Sequence, residues 1–341
     1  MRLTRRQFTR VSLAAAGLGV ASAVPLGGCA ASSGRRRLKF SDVQASSHYT
    51  NVAATWMGKQ LRSRTGGDLE MKVFPSGALG GPDETILALQ TGAVDLAWLS
   101  TGQLAREVRE LNLLSCAYLV QNRDHFKRLA TPGTRPYDRM RAAIERDIRG
   151  VRLVGIMGGP ARNLYTDGKP VLSPDDLAGR QIRVEDSPVK AETWRRFGAD
   201  PVPLTWQEIY TALQSGVIEG AESSTDAYDT SKLNEVAPNL SVTEHEYAVL
   251  PLLLSDATYR RLGGPERAAL VELCASTAQR SWEEGWSRVD ALERTELAKA
   301  GTKVVHPDVG AFRRLSDRMI DKAADEYRAG ALLDVVQEAL R

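Results

Sequence analysis

Residues Glu84–Ala97 read ETILALQTGAVDLA, and residues Glu208–Ala221 read EIYTALQSGVIEGA. Six of the fourteen positions are identical and three more are close substitutions. Each copy reads as an amphipathic helix closed by a glycine, Gly92 or Gly216, which then turns into a strand. The second copy also opens on Thr205-x-x-Glu208, a capping box that fixes a helix start just after Pro203. Two α/β units of like construction are the reading that follows.

Outward from this echo, strand and helix signals alternate. Leu38–Val43 starts a strand, and Tyr49, Val52, Ala53, Trp56, Met57 and Leu61 recur at helical spacing until Gly66-Gly67. Leu69–Phe74, Val94–Leu99, Val151–Ile156, Gln181–Val184 and Lys303–Val305 are further strand candidates. The rhythm predicts an α/β protein with largely parallel sheets. No proline interrupts the chain between Pro265 and Gly301, where apolar residues recur every three to five positions. That pattern predicts one long amphipathic helix or two abutting ones, about 55 Å if continuous, long enough to brace both units.

The chain has 341 residues, 43% hydrophobic and 26% charged, with three cysteines. Such a chain buries one or two cores and is neither a disulfide-built mini-protein nor a disordered polyelectrolyte. Its formal charge is +3, but Arg2, Arg5, Arg6 and Arg10 precede Cys29 with no acid among them. Without that segment the balance is 41 basic against 42 acidic residues, and no basic run exceeds Arg35–Arg37. Nucleic acid is therefore not an expected partner.

Residues 1–29 read as an export signal. A basic start precedes the apolar stretch Val11–Val24, too short for a comfortable membrane span. Thr4-Arg5-Arg6-Gln7-Phe8 looks like a twin-arginine motif, and Leu26-Gly27-Gly28-Cys29 resembles a lipobox that would leave Cys29 lipidated. The simpler alternative is ordinary cleavage after Ala23. Ala30, following the cysteine, favours an outer-membrane destination where the cell has one, and residues 30–37 read as a tether. Cys116 and Cys274 lie in apolar settings and are expected to be buried thiols rather than a disulfide.

His48, His125, His245 and His306 show no zinc-binding spacing, and no GxSxG elbow, Walker A or dinucleotide-binding glycine pattern stands in a suitable context. Two arginines stand out instead. Arg162 follows the Gly158-Gly159-Pro160 turn, and Arg183 sits on the short strand Gln181–Val184, before a helix entry at Ser187-Pro188. A guanidinium at a strand end suits a carboxylate ligand. The alternative is an ion pair with a neighbouring acid such as Glu185 or Asp186.

The stretch Ile182–Glu222, with Val73-Phe74-Pro75-Ser76-Gly77-x-Leu79-Gly80 and Leu89–Asp95, resembles the solute-binding subunits of TRAP (tripartite ATP-independent periplasmic) transporters, the DctP-type family. The resemblance covers about residues 38–330. It implies a two-lobed periplasmic-binding-protein-like α/β fold with a ligand cleft, and residues 38–159 plus 249–288 would form one domain, 160–248 plus 289–341 the other. It also implies capture of a small organic carboxylate by hinge closure near Gly158–Pro160 and Leu250, TRAP membrane subunits as partners, and no catalysis. A sensing receptor or an exported enzyme on the same scaffold are the alternatives.

Residue by residue, the family's principal carboxylate-binding arginine falls on Arg183 and a second on Arg162. His48 matches the cleft-facing start of the first helix, and Trp206 an aromatic position that packs on the ligand's carbon skeleton. Ser223 stands where many members have asparagine, which implies altered ligand choice. Asp186 replaces a common neutral polar residue, and would repel a second carboxylate or bond a ligand amine or hydroxyl. No cofactor is expected. Some relatives hold a cation beside the ligand through a glutamate, which makes Glu222 a metal candidate.

Overall fold

The structure, a computed structural model, describes residues 36–341. Nine strands form one mixed sheet: β1 (Arg36–Ser41), β2 (Leu69–Phe74), β3 (Leu96–Trp98), β4 (Val151–Thr166), β5 (Gln181–Val184), β6 (Asp200–Pro203), β7 (Gly220–Ser224), β8 (Asn239–Ser255) and β9 (Lys303–Val305). The order is β2-β1-β3-β8-β4-β7-β5-β6, with β9 added beside β8. Read from its two edges inward, the sheet repeats itself. A parallel trio (β2, β1, β3) adjoins β8 antiparallel, and a parallel trio (β6, β5, β7) adjoins β4 antiparallel.

The sequence echo is the local form of this symmetry. Helix Pro82–Thr91 ends at Gly92 (φ 76°) and leads into β3; helix Ile209–Gln214 is followed by Gly216 (φ 71°) and leads into β7. The shared glutamates have the same work. Glu84 accepts the backbone N–H of Gly81 at 3.0 Å, and Glu208 that of Thr205 at 2.8 Å, so both copies open on a capping box. In the second copy the first turn, Trp206–Glu208, is a 3₁₀ turn. The symmetry also continues past the echo. Ser100-Thr101 and Ser224-Thr225 stand at equivalent positions, and both serines cap the short helix that follows their strand, Thr101–Leu104 or Thr225–Thr230.

The expected largely parallel sheet is corrected at its centre, where β4 and β8 are long and antiparallel. The pairing shifts register between Leu153 and Gly155, between Arg162 and Leu164 and, midway along β4, between Gly158 and Ala161. Gly158 (φ 108°) and Gly159 (φ 101°) make this irregularity, which a side chain would hinder. On one side of it β4 contributes Val151, Leu153, Ile156 and Met157 to a large core shared with Leu38, Phe40, Met57 and Phe126. On the other, Tyr165 joins a core with Ile209, Tyr228 and Leu240, and Leu164 joins a third with Ile182, Trp194 and Phe312. Two lobes therefore share two strands.

The long helix runs from Gly264 to Ala291, about 42 Å at 1.5 Å per residue, and passes through one π-helical turn, Leu292–Glu296, before Leu297–Lys299. Leu270, Leu273, Ala278 and Trp282 pack in the first core, Leu292 and Leu297 in the second, so the helix braces both. Its indoles hold the irregular part of β4: Trp282 Nε1 donates to Ile156 O at 2.6 Å and Trp286 Nε1 to Gly159 O at 2.7 Å. The segment 289–341, expected in the second lobe, divides. Phe312 packs there, while helices Met319–Glu326 and Gly330–Glu338 supply Ala323, Leu332 and Val336 to the first core, on which their apolar faces fit. Cys116 and Cys274 are buried free thiols, and burial raises both pKa values. The export segment and Cys29 lie outside the described residues.

Candidate functional site

Ligands of α/β sheets sit beyond the carboxyl ends of parallel strands. Here those ends converge. Gln44 lies three residues past β1, Trp98 ends β3 with Ser100 two residues beyond, Arg183 lies in β5 with Glu185 just past its end, and Ser223 and Ser224 end β7; all line one cavity, together with Arg162 of β4 and His48 and Trp206. Five of the expected site residues, Arg183, Arg162, Trp206, Ser223 and His48, thus come together. The inner cavity holds about 30 Å³, room for one water. It shares Arg183, Glu185 and Trp206 with an outer mouth of about 270 Å³, whose lips are the two capping boxes at Gly81–Glu84 and Thr205–Gln207.

Arg183 is 3% exposed. Its Nε donates to Leu204 O at 2.8 Å, and its guanidinium lies 5.9 Å from the Trp206 ring centre. Nη1, though buried, has no hydrogen-bond partner. A buried cationic donor left unpaired is costly, and burial pulls the Arg183 pKa down. A ligand carboxylate would answer both.

Arg162 is tied to Glu222. Its Nε meets Oε2 at 2.5 Å and its Nη2 meets Oε1 at 2.8 Å. Behind this pair lies a buried network in which His245 Nε2 approaches Glu222 Oε2 at 3.2 Å and Lys190 Nζ donates to Glu246 at 2.6 Å. Burial works against the Glu222 anion, but Arg162 and Lys190 hold its pKa well below the usual range. Burial keeps His245 neutral and pushes Glu246 up to about 7. Glu222 does not line the cavity, and both its oxygens are taken up by cationic or N–H groups. The expectation of a cation at Glu222 is corrected accordingly; among the described residues no cluster of three metal-ligating side chains occurs.

His48 caps the first helix, Tyr49–Arg64, accepting the Thr50 N–H, and burial followed by the Arg288 charge lowers its pKa to about 3. It is a neutral imidazole, 2.7 Å from Thr50 Oγ1 and 3.6 Å from Asp226 of the other lobe. Ser223 Oγ donates to Ser224 O at 3.2 Å and reaches Tyr165 Oη at 3.5 Å. Asp186 does not face the inner cavity. Its exposed carboxylate stands at the mouth, 3.3 Å from Arg106, because the turn after β5 points Glu185 inward and Asp186 out. Gln44, Ser100 and Glu185 are site residues that sequence reasoning missed. Their position within three residues of the ends of β1, β3 and β5 was the available signal.

A buried guanidinium with one unpartnered donor, in a cleft between two lobes that share their central strands, fits a solute-binding receptor. Residues 40–326 match the bacterial extracellular solute-binding protein family 7 (DctP), and the chain belongs to that family, which places its work outside the cytoplasm. A solute-binding protein of Roseobacter denitrificans is 29% identical over 325 residues, 95% of this chain and 97% of its own length. A TRAP periplasmic solute-binding protein of Bradyrhizobium, in complex with D-galacturonate, superposes with a TM-score of 0.81 at 28% identity, covering 89% of this chain and 100% of its own. Another, from Bordetella, with density assigned to pantoate, gives 0.78 at 28% identity over 89% of this chain and 98% of its own.

Proposed function

We propose that the protein captures a small organic carboxylate between its lobes for a TRAP-type secondary transporter, without catalysing a reaction. The observation that carries this reading is Arg183, which lines the cleft and whose buried Nη1 donor has no acceptor. The carboxylates bound by the Bradyrhizobium and Bordetella relatives support it. The inner cavity has room for one water, so an acid of several carbons would fill it only with the lobes parted. The irregular β4–β8 crossing at Gly158–Ala161 is where they would bend. The liganded form would dock on membrane subunits, with the chain exported by the twin-arginine route and held to the membrane through a lipid on Cys29.

The test is a thermal-shift screen of carboxylates, since binding to the folded state raises the melting temperature, followed by calorimetry on Arg183→Lys. Lysine keeps the charge and loses the planar fork, so affinity should fall at least tenfold. Stoichiometric binding without turnover is expected. An Arg183→Lys protein that binds as tightly as wild type would overturn the reading.

A further inference from the structure

Asp42, one residue past β1, is buried behind the cavity wall. Its Oδ1 accepts the Gln44 N–H at 2.7 Å; its Oδ2 accepts Trp98 Nε1–H at 2.8 Å and lies 2.9 Å from Thr50 Oγ1. Thr50 Oγ1 is in turn 2.7 Å from His48 Nδ1, and His48 Nε2 is 3.6 Å from Asp226 Oδ2. Asp42, Thr50 and His48 belong to one lobe and Asp226 to the other, and all four side chains are buried. Gln44, Trp98 and His48 line the inner cavity. We propose that Asp42 is a positioning residue: through Thr50 it decides which ring nitrogen of His48 carries the hydrogen, and with it whether the lobes are held together at Asp226.

Counting hydrogens shows how. Thr50 has one hydroxyl hydrogen and two neighbours at bonding distance, so it donates to one and accepts from the other. When Asp42 is ionised, Thr50 donates to it, and His48 Nδ1 must bring the second hydrogen. Nε2 then turns a lone pair on the Asp226 carboxylate, and Nδ1 can no longer accept the Thr50 N–H, 3.4 Å away, that caps the first helix. When Asp42 is protonated, it donates to Thr50, Thr50 donates to Nδ1, and the neutral ring carries its hydrogen on Nε2, toward Asp226. Every contact in the chain is then matched. The exchange takes one proton from solvent: Nδ1 gives up a hydrogen, while Asp42 and Nε2 each gain one.

The surrounding charges set the pH window. Burial raises Asp42 to about 7 against the three hydrogen bonds that favour its anion. Burial raises Asp226 to about 6; the Tyr49 N–H, at 3.0 Å, and Arg288 of the long helix favour its anion, and Asp229 opposes it. Tyr49 stays a neutral phenol and His48 a neutral ring, because burial disfavours both charged forms; Arg162 acts on the first and Arg288 on the second. Between these two values Asp42 is mostly protonated while Asp226 is ionised, and the Nε2 hydrogen meets an anion. Above about pH 8 Asp42 is ionised, and a lone pair meets that anion instead. Closure should therefore weaken as pH rises through 7. The proposal rests on closure of the two lobes, not on which solute they hold.

NMR of the protein with nitrogen-15 in its histidine rings tests this, with the His48 signals assigned from His48→Gln. In wild type, His48 should be neutral throughout, with its hydrogen on Nε2 at about pH 6.5 and on Nδ1 at about pH 8.5. Thr50→Val keeps the shape and removes the hydroxyl, so Nε2–H should persist at both pH values. Where Thr50→Val does not fold, Asp42→Asn, which cannot titrate, should hold one tautomer at both. Small-angle scattering of the unliganded protein reads closure: the radius of gyration of wild type should be larger at the higher pH, and that of Thr50→Val the same at both.

A wild-type His48 that keeps one tautomer across this range, or carries hydrogens on both nitrogens, overturns the proposal. So does a switch that survives in Thr50→Val or Asp42→Asn. Superimposable wild-type scattering curves at the two pH values overturn the link to lobe closure. Neither measurement involves Arg183, so the carboxylate reading stands or falls separately, by calorimetry on Arg183→Lys.

Discussion

Arg162 and Glu222 project from neighbouring antiparallel strands and close a two-pronged ion pair, 2.5 Å and 2.8 Å at its two contacts, with both side chains buried. An arginine at a strand end is read from sequence either as a ligand contact or as half of an ion pair. Arg162 is an ion-pair partner that also lines the cavity, and its acid is a residue of the next strand rather than a sequence neighbour.

Glu222→Gln should therefore cost about 3–5 kcal/mol, because it leaves Arg162 charged and buried and removes an anion from Lys190. Denaturant unfolding at pH 7 measures this. The native pKa of Glu222 is lowered, so its contribution is complete above the unfolded value of about 4.3 and is lost as pH falls below it. The gap between wild type and variant should narrow in acid. A loss under about 1 kcal/mol at pH 7 would mean that the pair contributes nothing.

Glu293, in the π-helical turn, makes the opposite prediction. Its Oε1 accepts from Asn163 Nδ2 at 2.8 Å and from Thr225 Oγ1 at 2.5 Å, and burial raises its carboxyl to about 7. A raised carboxyl penalises the folded state increasingly from about pH 4.3 upward and fully above pH 7. Glu293→Gln keeps an acceptor for both donors and removes the charge, so it should stabilise at pH 8, on the order of 1 kcal/mol, and confer nothing at pH 4. Melting curves at the two pH values check this; a variant less stable than wild type at pH 8 would refute it.

Much of this was legible in the sequence, for identifiable reasons. β2, β5 and β9 fall at their expected limits because each is short and bounded by turn residues. β8 was not legible. Asn239–Ser255 has an apolar run, YAVLPLLL, broken by Pro251, after the charged residues Glu244–Glu246. Burial on both faces removes the alternation that marks a half-exposed strand. Pro251 is tolerated because Leu99 N donates to its carbonyl beyond the end of β3, where the missing N–H leaves no strand bond unmade. That Arg183, Arg162 and Trp206 would gather at one cavity was legible through motif resemblance. Glu185 was not, because only the turn geometry decides whether it or Asp186 enters the cleft.

The lipobox-like Leu26–Cys29 predicts that the mature chain fractionates with membranes and that Cys29→Ala releases it. Fractionation with mass analysis of the N-terminus reads this directly. Wild-type protein found soluble, with an unmodified N-terminus at Val24, would show that the segment is only a cleaved signal.

The last prediction concerns the irregular crossing of β4 and β8. Gly158 and Gly216 both have positive φ, 108° and 71°, so an alanine at either is strained by about 1 kcal/mol. Their surroundings differ. A Cβ on Gly216 would meet nothing within 4 Å, whereas one on Gly158 would lie 2.0 Å from the carbonyl oxygen of Ala248. That oxygen is backbone of the partner strand, so relief requires β4 and β8 to separate where Gly158 pairs with Val249. Gly216→Ala should thus cost about 1 kcal/mol, and Gly158→Ala at least about 3 kcal/mol. If the crossing is also where the lobes bend, Gly158→Ala should change small-angle scattering of the unliganded protein, while Gly216→Ala should leave the wild-type curve. Equal stabilities for the two variants would show that the Gly158 approach carries no strain. A wild-type scattering curve from Gly158→Ala would remove the crossing as the hinge.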